Sequence, residues 1–334
     1  DEDMVITVTN SGYVKRSPLA LYRAQNRGGK GRTGMATKED DFVEHLYVAS
    51  AHSYVLVFTE SGRVHWLKVH QIPEFGPAAR GKAIVNLLEL SSEEKVATTV
   101  AVRDFPEDRH LVFATERGLI KKTALSAYGN PRVGGIIGIN VEEGDRLLSV
   151  RVTAGDQDIL LATAQGKSVR FPEEEVRGMG RATRGVRGIA LRKGDRVVAM
   201  EVLEAEGTLL TVSEKGYGKR TVLEEYRRQG RGGLGIINLK VSDKTGEVIG
   251  VRQVQDEDGA MLITQDGKII RIGVDGVSII GRSTQGVKVM DLDEGDRLVA
   301  LAKIVERQEE DAPEEASEDE GGPEASDSSD ETVN

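Results

Sequence analysis

Residues 5–16 read VITVTNSGYVKR: an apolar run, a threonine, a polar pair, one glycine, and a second run ending in two cations. Val, Ile and Thr favour a pleated strand. A glycine after a polar pair supplies the positive φ of a tight hairpin turn. Alternation in the second run directs apolar residues inward and cations outward. The pattern returns as VLVFTESGRVHWLK, LVFATERGLIKK, ILLATAQGKSVR, LLTVSEKGYGKR and MLITQDGKIIR. Its glycines are Gly12, Gly62, Gly118, Gly166, Gly216 and Gly267, spaced 48 to 56 residues apart. Six copies of one hairpin at that period define a repeat protein.

Each unit carries a second mark. A Gly-rich, often Arg-bearing loop follows the hairpin: RGGKG (27–31), ARGKA (79–83), VGGIIG (133–138), TRGVRG (183–188), GRGGLG (230–235) and TQGVK (284–288). Three units then show GDR, with Asp145, Asp195 and Asp296, and a further strand follows. Each unit therefore reads as about four strands with hardly any helical periodicity. Such a unit cannot bury its own faces, so neighbours must stack, and closing the stack protects strand edges. The expected fold is all-β, six radial blades over residues 1–307. A linear array or two three-unit sandwiches are the alternatives, and the absence of Pro/Ser-rich linkers argues against both.

The formal net charge is −10 over 334 residues. The acids are segregated. Residues 308–334 hold 12 Asp and Glu and no Lys or Arg, which leaves residues 1–307 at +2. That segment is expected to be a disordered acidic tail. The cations cluster too, six without an acid in 10–36 and six more in 177–193. Two such windows beside a segregated tail favour a polyanionic partner.

Other chemistries find little support. Cysteine is absent, which removes disulfides, thiolate metal sites and cysteine nucleophiles. No apolar run approaches the roughly 20 residues of a membrane span. GKGRTG (29–34) and GRGGLG (230–235) imitate a dinucleotide fingerprint without its strand–turn–helix setting. In LATAQGKS, Leu161 occupies the first glycine position of a phosphate loop. The five histidines show no zinc spacing, Trp66 reads as blade packing, and no nucleophile–base constellation is apparent. No cofactor or metal is expected. The chain opens on Asp1 and is expected to be a fragment of a longer protein.

The repeat, together with Gln25, Asn26, Arg27, Gly28, Gly29, Lys30 and Gly31, resembles the C-terminal domain of the A subunit of DNA gyrase, whose family carries a Gln-Arg-Arg-Gly-Gly-Lys-Gly box after its first repeat. Asn26 departs from that box, and QGRGGLG (229–235) is a weaker echo lacking the lysine. The resemblance covers roughly residues 1–305. It implies a six-bladed β-pinwheel whose basic rim wraps duplex DNA, enabling a bacterial holoenzyme to introduce negative supercoils. It also implies that this fragment is non-catalytic, with the breakage tyrosine and the ATPase elsewhere. Implied partners are duplex DNA, the catalytic N-terminal part of the same polypeptide, and the ATPase subunit. The isolated domain is expected to be monomeric, and the location cytoplasmic and nucleoid-associated.

Under this reading the glycines of 25–31 let backbone N–H groups approach phosphate, while Arg27 and Lys30 add charge. The remaining rim candidates are Lys15, Arg16, Arg32, Arg63, Lys68, Arg80, Lys121, Lys122, Lys167, Arg170, Arg181, Arg184, Arg187, Lys219, Arg220, Arg231, Lys268 and Arg271. They read as phosphate contacts and not base readers, since no recognition helix is visible. The competing readings are the related domain of topoisomerase IV, which lacks a proper box, a protein-binding propeller scaffold, and a propeller enzyme.

Overall fold

The threonine before five of the six hairpin glycines closes the turn twice, and Ser213 stands in its place before Gly216. The threonine carbonyl accepts the glycine N–H, as in Gly62 to Thr59 at 2.9 Å. Its Oγ1 accepts the N–H one residue past the glycine, as in Arg63 to Thr59, Leu119 to Thr115 and Lys167 to Thr163 at 3.0–3.1 Å. The structure, a computed structural model, describes residues 3–9, 12–19, 43–76, 79–88 and 90–304. The box at 25–31, Arg32 and the tail at 308–334 lie outside the described residues. Within them there are strands, six short 3-10 helices and no α-helix.

Six antiparallel sheets form the blades of a propeller. The fourth blade shows the plan. Its inner strand Val197–Leu203 pairs with Asp158–Thr163, which pairs with Lys167–Pro172. Its outer strand, Ile236–Ile237, comes from the next unit and pairs at Lys167↔Ile237 and Ser168↔Ile236. The same donation brings Lys82–Ala83, Ile136–Ile137, Val186–Arg187 and Val287–Lys288 to blades one, two, three and five. The sixth sheet has three strands among the described residues, Gly259–Thr264, Ile269–Gly273 and Leu298–Ile304. The four strands expected of each unit are thus divided between two blades, and the Gly-rich loop is the arm that reaches across.

The apolar cores lie between blades. One joins Leu56, Phe58 and Val64 of the second blade to Leu111, Phe113 and Val150 of the third. There Phe58 and Phe113 meet edge to face at 5.5 Å and 86°. The inner strands pack side by side around the axis, and Leu298–Ile304 meets Val43–Ser50. Met261, Ile263 and Ala302 of the sixth blade share a core with Val5 of the first. The ring is therefore closed. A cavity of about 410 Å³ on the axis is lined by inner-strand residues, including Arg151, Glu201 and Arg252.

Candidate nucleic-acid interface

The outer edge of the disc is built from the donated strands and the loops that lead into them. Each loop among the described residues turns at a positive-φ glycine: Gly81, Gly135, Gly185, Gly235 and Gly286, at φ between 73° and 91°. At Gly185 a Cβ would lie 2.4 Å from the Ile120 carbonyl oxygen, so only glycine lets the arm dock on its host strand.

Five of the rim candidates are buried, three of them completely. Lys15, Lys121 and Lys219 are fully buried. Lys15 Nζ donates to the Gly76 and Ala79 carbonyls at 3.2 and 3.0 Å. Lys121 Nζ donates to the Gly138, Gly180 and Arg181 carbonyls at 2.6, 3.3 and 2.6 Å. Lys219 Nζ donates to the Gly281 and Arg282 carbonyls and reaches Thr284 Oγ1. Each ammonium holds the arm donated by the next unit. Burial pulls Lys15 and Lys219 down to about 8 and Lys121 to about 7. The simple strand alternation that sends cations outward fails here because the arm covers that face of the strand.

In blades one, three, four and five the cation at the next position, four residues after the hairpin glycine, is also committed inward. Arg16 Nε donates to the Ile72 carbonyl at 2.6 Å and pairs with Glu74. Arg170 bonds Asp158 at 2.7 Å and the Leu223 and Tyr226 carbonyls. Arg220 is buried, on the Val277 carbonyl and Asp256. Lys122 is buried 3.8 Å from Glu173. These long side chains tie blades together and do not line the outer surface. In the second blade His65 takes the lysine position; it is buried, with Nε2 lacking a partner and burial lowering its pKa.

The other candidate cations are partly or fully accessible. Lys68, Arg184, Arg187, Lys268 and Arg271 are exposed; Arg63, Arg80, Lys167, Arg181 and Arg231 are half-buried. Several have protein partners. Arg63 donates to the Gly134 carbonyl at 2.7 Å, Arg80 stacks on Tyr13 at 3.6 Å, and Arg184 pairs with Glu142 at 2.6 Å. Arg231 bonds the Glu175 and Arg187 carbonyls, and Lys268 pairs with Asp293. Exposed cations outside the expected rim set stand on the same arms or just beyond them: Lys82, Arg132, Arg227 and Lys288, together with Arg177 and Arg192 of the basic window 177–193. Their signal is proximity to the Gly-rich loop, not to the hairpin. The GDR aspartates are structural: Asp195 Oδ1 accepts the Gln165 and Arg196 N–H groups at 3.0 and 2.8 Å.

A closed six-bladed ring with donated outer strands and an arginine-bearing edge defines a pinwheel-type propeller. The chain belongs to the DNA gyrase C-terminal domain, beta-propeller family, whose pattern matches residues 3–50, 53–103, 109–154, 157–204, 207–255 and 260–304. The DNA gyrase A subunit of Clostridium acetobutylicum is 48% identical over 304 residues, 91% of this chain and 37% of that protein. Its counterpart from Escherichia coli (strain K12) is 41% identical over 305 residues, 91% of this chain and 35% of that protein. The chain thus spans little more than a third of these relatives. A solved DNA gyrase A C-terminal domain superposes with a TM-score of 0.82 at 26% identity, covering 91% of this chain and 100% of that one. The C-terminal domain of a DNA topoisomerase IV gives 0.72 at 28% identity, covering 90% and 93%. No helix among the described residues is long and apolar enough to cross a membrane.

Proposed function

We propose that this chain binds, bends and wraps duplex DNA around its outer edge without base selectivity, as the wrapping part of a gyrase A subunit. The observation that carries the reading is the edge itself: arms ending in exposed Arg132, Arg177, Arg184, Arg187 and Arg227 run around a closed ring. In the holoenzyme the catalytic N-terminal part of the same polypeptide, together with the ATPase subunit, uses the wrapped segment to introduce negative supercoils. Bending 20–30 bp by 40–90° costs about 1–6 kcal/mol, so phosphate contacts must be spread over several blades. The box at 25–31 favours this reading over a topoisomerase IV domain.

The test is a relaxed plasmid incubated with the chain and a nicking–closing enzyme. Wrapping shifts the topoisomer distribution. Alanines at 25–31 are expected to cost little affinity and nearly all of the shift. Affinity should fall with salt at about 0.9 per phosphate neutralised. A flat salt response together with an unshifted plasmid defeats the proposal.

A further inference from the structure

The buried lysines alternate around the ring. The third residue after the hairpin glycine is Lys15, His65, Lys121, Val169, Lys219 and Ile270 in blades one to six. Arms 76–81, 180–185 and 281–286 are therefore held by an amine, and arms 130–135 and 230–235 are not.

A trans peptide points its C=O and N–H in opposite directions. A carbonyl drawn inward by a buried lysine turns the following N–H outward and polarises it. One peptide shows both ends occupied: Gly281 gives its carbonyl to Lys219, and the Arg282 N–H donates to Glu225 Oε2 at 2.6 Å. At the matching place in the fifth unit the Arg231 N–H donates to Glu175 Oε2 at 2.7 Å. In both of these arms that N–H donates to a carboxylate.

The third blade breaks the pattern. Glu175 and Glu225 each lie nine residues after their hairpin glycine, and the matching residue after Gly118 is Ala127, which is exposed. Lys121 still holds the Gly180 and Arg181 carbonyls. Among the described residues nothing accepts from the Arg181 N–H. On the same arm stand Arg177, Arg184 and Arg187, all exposed. Glu142 reaches this arm, and it is already on Arg184. In the first blade the matching position, 77, is proline and has no N–H to offer. Arm 177–187 is thus the described arm that combines a lysine-held carbonyl, an outward N–H free of carboxylate and three exposed guanidinium groups.

We infer that arm 177–187 is a phosphate seat centred on the Arg181 N–H, with Lys121 as the positioning residue behind it and a DNA phosphodiester as its ligand. The inference rests on the proposed function and adds where, and by which groups, one backbone phosphate is held. Glu175 and Glu225 occupy the corresponding N–H groups of arms 230–235 and 281–286 and keep DNA from them.

The experiment measures binding of a linear duplex by the full chain across a salt series, with variants A127E, A127D, A127Q and K121M. Glu at 127 should plug the Arg181 N–H as Glu225 plugs Arg282. Asp carries the same charge but is one methylene short. A127E is expected to bind about fivefold more weakly than A127D, with a slope shallower by about 0.9, one phosphate. A127Q should match wild type. K121M, where folded, should lose the same phosphate from its slope. E225Q should tighten binding. If A127E binds no more weakly than A127D, the seat is wrong. Position 127 is exposed, so that comparison stands even if K121M does not fold. A wild-type chain without salt-dependent binding would overturn the proposed function itself, a different outcome from failure at 127.

Discussion

The carbonyl of Gly166 accepts hydrogen bonds from the N–H groups of Asn238 and Leu239, at 2.7 and 3.2 Å, across two units of the ring. A Cβ on Gly166, at φ +82°, would lie 2.1 Å from the Leu239 carbonyl oxygen. The glycine of the hairpin is therefore also the notch into which the donated arm locks. Gly62, Gly118 and Gly216 receive the same pair of bonds from Gly138 and Ile139, Gly188 and Ile189, and Val289 and Met290.

Gly166→Ala should consequently cost more than a turn substitution. The left-handed backbone alone costs roughly 1–2 kcal/mol for a residue with a Cβ. Displacing the arm adds to this, for an expected total of about 3 kcal/mol or more. Gly295 is the control: its φ is +81° and nothing lies within 4 Å of a methyl placed there. Gly295→Ala should cost only the backbone contribution. Urea denaturation of the two variants distinguishes them, and equal losses would reduce Gly166 to an ordinary turn residue.

The hairpins are legible in the sequence because a strand of six or seven residues with its Thr or Ser and Gly leaves a strong local signature, repeated six times. The exchange of outer strands is not. Ile236–Ile237 is two residues long, and nothing local says which sheet it joins. The roles of the cations are obscured for the same reason. Lys15, Lys121 and Lys219 occupy strand positions that would face water if the arm of the next unit did not cover them. The exposed loop arginines, such as Arg177, are visible as a basic window but carry no positional pattern. Glu173 shows the converse: it opens an EEE run that reads as a solvated face, yet it is fully buried while Glu174 is exposed.

Glu173 accepts from Thr153 Oγ1 at 2.7 Å and from the Gly155 and Gln157 N–H groups at 2.9 Å each. Lys122 lies 3.8 Å away. Glu173→Ala would strand all of these donors, at an expected loss of about 3–5 kcal/mol. Glu173→Gln keeps one acceptor oxygen and should lose less. Thermal or urea unfolding of both variants checks the order, and an Ala variant as stable as Gln would contradict it.

Stability should depend on alkaline pH in two phases. The folded pKa values of Lys15, Lys121 and Lys219, about 8, 7 and 8, lie below the ordinary 10.5, so the native state sheds these protons first. Stability therefore rises with pH from about 7 toward 10.5, by at most about 1.4 kcal/mol per pH unit per lysine. Tyr128 and Tyr226 act oppositely. Burial raises both above the ordinary value, and their hydroxyls donate to the Gly138 carbonyl at 2.9 Å and Asn238 Oδ1 at 2.6 Å. Above about pH 10 the unfolded chain ionises these tyrosines and the native state does not, so stability falls. Urea midpoints should climb, then drop, and Lys121→Met should flatten the climb by about one proton.

The acidic tail should act as a tethered competitor for the same edge that DNA uses. Its 12 carboxylates lie within residues 308–334, attached to a body of net charge +2. Attachment to the same chain gives an effective concentration on the order of millimolar. The exposed arginines of the arms are its natural target, Arg132, Arg177 and Arg187 among them. The attraction weakens as the Debye length falls below about 8 Å. Truncation after Arg307 should tighten duplex binding or increase the plasmid shift at low salt, with the gain vanishing as salt rises. Within the same experiment the A127E variant of the truncated chain should gain less than its parent does if the tail rests on the 177–187 arm. Equal affinity and equal wrapping with and without the tail at low salt would reduce it to a solubility segment.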